Sequence, residues 1–198
     1  MTALKKETLP PPPITVDEFI DWPGDGIHKK FQLVDGVIRA MPPASTTHGA
    51  LRAKLASVID QLLVAANSPC NVFTEPAVAT RIRADVNSRV PDLAVSCAAT
   101  EAGQIYLPDP ILQIKIMSPG NTSDTWDNVW AYASIPSVTE ILIVQSTRIE
   151  AQLLRRGPDG AWPKEPEQIG RGDRLKLASI ALDCAIEDVY AKTHLAAS

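Results

Sequence analysis

"VPDLAV" at Val90 to Val95 and "ILQIKIMSPGN" at Ile111 to Asn121 decide how the rest of the chain is read. Both are apolar enough to be buried strands, yet the second carries Gln113 and Lys115 in its interior. Strand alternation puts Leu112, Ile114 and Ile116 on one face and Gln113, Lys115 and Met117 on the other. The polar pair therefore belongs to one surface, expected to face Asp92. The plainer reading is a groove rim, where Lys115 snorkels to water and Gln113 finds an ordinary hydrogen bond.

Working outward, "SPGNTSD" reads as a loop in which Thr122 or Ser123 caps a helix running to about Ser134. Asp124, Asn128 and Tyr132 fall on one face of that helix, four residues apart. Trp126 and Trp130 are expected to anchor it to the sheet or to a subunit rather than to stack bases. "EILIV" follows as a central strand. Upstream, "NVFTEPAVATRIRA" reads as a strand interrupted or bulged at Pro76. Before it lies a long helix capped by Ser45 or Thr46, with Leu51, Leu55, Val58, Ile59, Leu62 and Leu63 at three- and four-residue spacing. Asp35-Gly36 marks a two-residue hairpin turn, and Thr15 caps a short helix with Asp17 and Glu18 in its first turn. "RIEAQLLRR", "GPDG" and "AWP" then read as a strand and turn, followed by short strands near Leu175 to Leu177 and a helix near Ala185 to Lys192. Helix, hairpin, long helix, strands, helix and strand pair add up to an α/β fold: a mixed, twisted sheet flanked by helices.

A chain of 198 residues with 45% hydrophobic composition buries one core. The expected organisation is a proline-rich arm at 1–13, a single domain at 14–192 and a tail at 193–198. No apolar run spans a bilayer and "MTALKKETLPPPP" lacks the apolar centre of a signal peptide, so the expectation is a cytoplasmic protein with no membrane partner. A net charge of −4 argues against general wrapping of nucleic acid. Local clusters (Arg81, Arg83 and Arg89; Arg148, Arg155 and Arg156; Arg171 and Arg174) remain available for a basic face, although solvated surface is the ordinary role for such groups. Cys70, Cys97 and Cys184 have no metal-ligand spacing and are expected as buried free thiols.

"FQLVDGVIRAMPP", "STTHGALRAKLASVI", "FTEPAV", "VPDLAV", "MSPGNTSD" and "WAYASIPSVTEILIV" occur in the order and approximate spacing of the bacterial Uma-two family. The chain resembles that family of restriction-endonuclease-like proteins from about Ile14 to Tyr190. The resemblance implies a restriction-endonuclease-like core of the PD-(D/E)XK superfamily, a homodimer, DNA as partner, and phosphodiester hydrolysis with Mg²⁺ or Mn²⁺. Mg²⁺ is a hard cation held by carboxylates, waters and phosphate oxygens in octahedral geometry, and it generates the attacking hydroxide.

By the same resemblance Asp92 is the first metal-binding acid and Glu75 a second candidate. His48, Asn128 and Tyr132 are accessory positions. The chain departs from the pattern twice. Lys115 stands where the family places its second acid, four residues before the proline of the Ser-Pro turn. Asn128 stands where it places a helix lysine. Two readings follow. In one, "QIK" is a shifted motif, with Gln113 offering an amide oxygen to the metal and Lys115 acting as catalytic lysine. In the other, the Lys115 ammonium pairs with Asp92 or Glu75 and takes the cation's place. The first describes a metal-dependent nuclease, the second a nuclease-fold binding or regulatory module that does not hydrolyse its partner.

Overall fold

The computed structural model describes residues 12–119 and 122–197; most of the expected proline arm lies outside the described residues. In chain order the regular elements begin with α1 (Val16–Ile20), β1 (Phe31–Val34), β2 (Val37–Ala40), α2 (Thr46–Ala65), β3 (Asn71–Thr74) and β4 (Val78–Ala79). Next come β5 (Ser88–Arg89), β6 (Leu93–Ser96), β7 (Pro110–Met117), α3 (Thr122–Ala133), β8 (Glu140–Gln145) and β9 (Glu150–Arg155). The chain closes with β10 (Glu167–Gly170), β11 (Arg174–Leu177), β12 (Leu182–Ala185) and α4 (Ile186–Tyr190).

Six strands form the main sheet in the order β10-β9-β8-β7-β6-β3. Only β7 and β8 run parallel, and α3 is the crossover that parallel neighbours require. The expected mixed sheet with helices on its faces is therefore present. A smaller sheet, β2-β1-β5-β4, contains the Asp35-Gly36 hairpin, both turn residues having positive φ. The stretch expected as a strand interrupted or bulged at Pro76 is interrupted there, and its halves part: β3 joins the main sheet and β4 the small one. Pro76 has no amide hydrogen to continue a ladder, and Glu75 before it turns with φ of 50°.

Alternation along β7 separates two cores. Leu112, Ile114 and Ile116 join Leu51, Leu55, Ile59 and Leu63 of α2 in the larger one. Met117 joins Val129 and Tyr132 of α3 in the other, beside Ile141 and Ile143 of β8. The α2 contacts recur every four residues, so burying one helical stripe also fixes the rotation of the helix about its axis. That rotation aims His48 at the sheet, because it lies on the same stripe as Leu51 and Leu55 and is itself buried. The Ser45 hydroxyl accepts the His48 amide at 3.2 Å and sets where this helix starts.

Two expectations for the side chains are corrected. Cys70 and Cys97 are joined by a disulfide, leaving Cys184 as the free thiol among the described cysteines. They flank the paired residues Asn71 and Ser96, so antiparallel pairing of β3 with β6 brings sulfurs 27 residues apart in sequence face to face. Of the basic clusters, Arg81, Arg83, Arg148 and Arg155 are exposed as solvated surface, but two members are not. Arg89 is buried, and Arg156 lies 4.9 Å from the Trp162 ring while donating to the carbonyls of Ala133, Ile135 and Pro136 behind α3. Trp162 also donates to the Ala133 carbonyl, and Trp126 is partly buried against the core, whereas Trp130 is 46% exposed.

Candidate active site

Asp92 precedes β6 and is 3% exposed. Its amide continues the pairing with β7 by donating to the Ile114 carbonyl at 3.0 Å, which points the side chain toward the end of β7. There the carboxylate is closed in by nitrogen donors. Oδ1 accepts from His48 Nε2 at 2.8 Å, and Oδ2 accepts the Ile116 amide at 2.8 Å. The Lys115 ammonium stands 3.2 Å from Oδ2 and 3.5 Å from the Val90 carbonyl. Burial by itself pushes the Asp92 pKa upward. The His48 hydrogen bond, the Lys115 charge and the Ile116 amide outweigh it and hold the carboxyl below its ordinary value.

His48 reaches past Asp92 in the other direction. Its Nδ1 lies 3.1 Å from Ser118 Oγ, at the far end of β7. An ionised Asp92 requires a proton on Nε2, so in the neutral ring Nδ1 is the acceptor and the Ser118 hydroxyl donates to it.

Glu75 is close in backbone but not in function. Its amide donates to the Asp92 carbonyl at 3.1 Å, whereas its carboxylate turns away to the Arg52 guanidinium and the Lys30 ammonium. Arg52 lies one helical turn beyond His48, so one face of α2 holds both acids, one with an imidazole and one with a guanidinium. Asn128 is buried and accepts from Arg89 Nη1 at 3.0 Å. Tyr132 is fully buried, and burial followed by the Asp92 charge pushes its phenol well above the ordinary value despite Arg89. It therefore stays protonated. Gln113 is also fully buried, and neither its amide oxygen nor its amide nitrogen has a hydrogen-bond partner among the described residues.

The structure thus brings Asp92, Lys115 and His48 together and leaves the Glu75 carboxylate outside that contact. Lys115 does not snorkel to bulk water: it is 7% exposed and paired. Sequence reasoning missed Ser118, Arg52 and Lys30. Arg52 alone carried a local signal, its four-residue spacing from His48.

A divalent cation does not fit this donor set. Mg²⁺ wants oxygen ligands on all sides, whereas the neighbours of Asp92 are N–H groups and a fixed ammonium that repels it. Among the described residues no group of three or more His, Cys, Asp or Glu side chains is arranged to hold a metal. The second acid that would complete a two-carboxylate site is committed to two cations of its own.

A family model described as Uma2, putative restriction endonuclease, matches residues 16–187. The chain belongs to the Uma2 family. Its match spans both the Asp92 strand and the Lys115 strand. A relative described as the uncharacterized protein slr1290 of Synechocystis is 26% identical over 185 residues, covering 92% of this chain and 94% of the relative. A crystal structure from Anabaena variabilis, described as a putative nuclease belonging to DUF820, is similar with a TM-score of 0.71 at 22% identity. That likeness covers 90% of this chain and 98% of the other, and it shows a shared fold. The Uma2 member described here accordingly has a restriction-endonuclease-like, nuclease-type architecture.

Proposed function

We propose that this protein is a nuclease-fold binding or regulatory module in which an internal ammonium has replaced the metal. The observation that carries this reading is the buried contact between Lys115 Nζ and Asp92 Oδ2 at 3.2 Å. A bound Mg²⁺ is displaced from a carboxylate oxygen by a tethered cation that is always present, and both side chains are almost fully shielded from water. The reading leaves DNA as the partner to test first, since family membership points there, and a homodimer as the assembly to test by light scattering.

One observation favours the alternative of a metal-dependent nuclease. Gln113 lies two residues before Lys115 on the same strand face, and its unpartnered, buried amide oxygen is the feature the shifted "QIK" reading needs. Incubation of supercoiled plasmid with the protein and Mg²⁺ or Mn²⁺ separates the two. The module reading expects no nicking above a buffer control and retention of DNA in a mobility-shift assay. Nicking that disappears in Asp92→Ala would establish the nuclease reading instead.

A further inference from the structure

Ser118, His48 and Asp92 form a continuous chain of hydrogen bonds, with Oγ to Nδ1 at 3.1 Å and Nε2 to Oδ1 at 2.8 Å. Burial is graded along it: Asp92 is 3% exposed, His48 is 8%, and Ser118 is half-buried. Ser118 also lines a cavity of about 360 Å³, together with Met117, Thr122, Trp126, Gln145 and Arg148. The cavity opens at the carboxyl ends of the parallel strands β7 and β8, where open α/β sheets place their ligands. We propose that Ser118 is the nucleophile of a metal-independent hydrolytic site, with His48 as its general base, acting on small uncharged carboxylic esters.

Each part has a physical reason. Asp92 holds the imidazole in the tautomer whose Nδ1 faces the serine. Lys115 and the Ile116 amide fix the other carboxylate oxygen and position Asp92. This constellation is recognised by geometry rather than by sequence order. The ligand class follows from the cavity wall. Among the described lining residues Arg148 is the one charged side chain, and its two guanidinium contacts to Glu150, both at 2.7 Å, neutralise that charge. Gln145 and Thr122 offer polar groups, and the Trp126 ring offers an apolar face for an acyl or aryl part.

In the reaction, Ser118 Oγ bonds to the ester carbonyl carbon while its proton passes to His48 Nδ1. The bond from that carbon to the alkoxy oxygen breaks, and the leaving oxygen takes the proton to depart as an alcohol. Water then attacks the acyl-serine and gives a proton to His48. The carbon to Oγ bond breaks, Oγ regains the proton, and the carboxylic acid leaves.

This inference goes beyond the binding-module reading and is tested with a chelator present, so its failure would leave the Lys115 account standing. The native protein is treated with diisopropyl fluorophosphate, the adduct is located by peptide mass spectrometry, and para-nitrophenyl acetate hydrolysis is followed in parallel. The expected result is a single adduct on Ser118 and hydrolysis faster by ~100-fold or more than with the urea-unfolded chain, the size of a positioned general base. Ser118→Ala should abolish the adduct and His48→Gln should slow its formation by a similar factor. No adduct on Ser118 in the native protein, or one that forms as fast in urea, would overturn the proposal. An adduct forming equally fast in folded His48→Gln would do the same.

Discussion

Lys115 is the residue on which the site turns. Its ammonium and the Asp92 carboxylate are each less than a tenth exposed, and removing one member of a buried pair strands the other charge in a poor solvent. Lys115→Met should therefore lower unfolding free energy by about 3 kcal/mol, the lower end for such a break because His48 and the Ile116 amide still hold Asp92. Urea unfolding measures it, and a change near zero would mean the pair is solvated in solution. The Asp92 carboxyl also makes stability depend on pH. Its folded pKa is depressed, so its contribution is complete above the ordinary value of 3.8 and is lost as pH falls through the lower folded value. Stability followed from neutral pH into that acid range should fall more steeply for the native protein than for Asp92→Asn. Equal slopes would contradict the assignment. Alternation put Gln113 and Lys115 on one surface and the family resemblance left Asp92 or Glu75 as partners for the ammonium; the structure pairs it with Asp92. The Ser118 contact was not legible in the sequence, because His48 and Ser118 are 70 residues apart in sequence and meet only when α2 docks on the sheet.

At the level of elements, α2 and β7 carry the site between them. Leu55 is fully buried in the core that α2 shares with Ile114. Leu55→Ala should cost about 2 to 5 kcal/mol, measured as a shift in the denaturant midpoint at unchanged slope. Because that stripe also aims His48, the same substitution should loosen the histidine, seen as a change in its imidazole resonances by NMR. The long helix was readable from three- and four-residue spacing, its cap as Ser45 or Thr46, of which the structure uses Ser45. A break at Pro76 was readable too, but not where the chain goes after it, since the turn at Glu75 sends it to a second sheet whose pairing partners are remote in sequence. That turn also explains why Glu75, a plausible second acid by motif, presents its carboxylate to Arg52 and Lys30.

For the whole molecule, composition and element order were enough to anticipate a mixed sheet flanked by helices, but long-range pairing held what they could not. The Cys70–Cys97 disulfide is an example: nothing in the spacing of the three cysteines pairs those two until β3 is known to lie against β6. Closing a loop of this length stabilises by ~3 kcal/mol in the chain-entropy account, so reduction should lower the thermal midpoint by several degrees. Disulfides persist in oxidising compartments, so in a cytoplasmic setting the pair would be held open as thiols, which alkylation of freshly lysed cells measures. Among the described residues no helix is long and apolar enough to cross a membrane.

The central claim is that Lys115 occupies the place of a divalent cation beside Asp92, and calorimetric titration with Mg²⁺ tests it most directly. The native protein should take up no Mg²⁺ at Asp92. Lys115→Glu, which exchanges the ammonium for a carboxylate, should bind Mg²⁺ and gain thermal stability that rises with the logarithm of Mg²⁺ concentration above its Kd. Binding by the native protein that is lost in Asp92→Ala, with no gain in Lys115→Glu, would contradict the account.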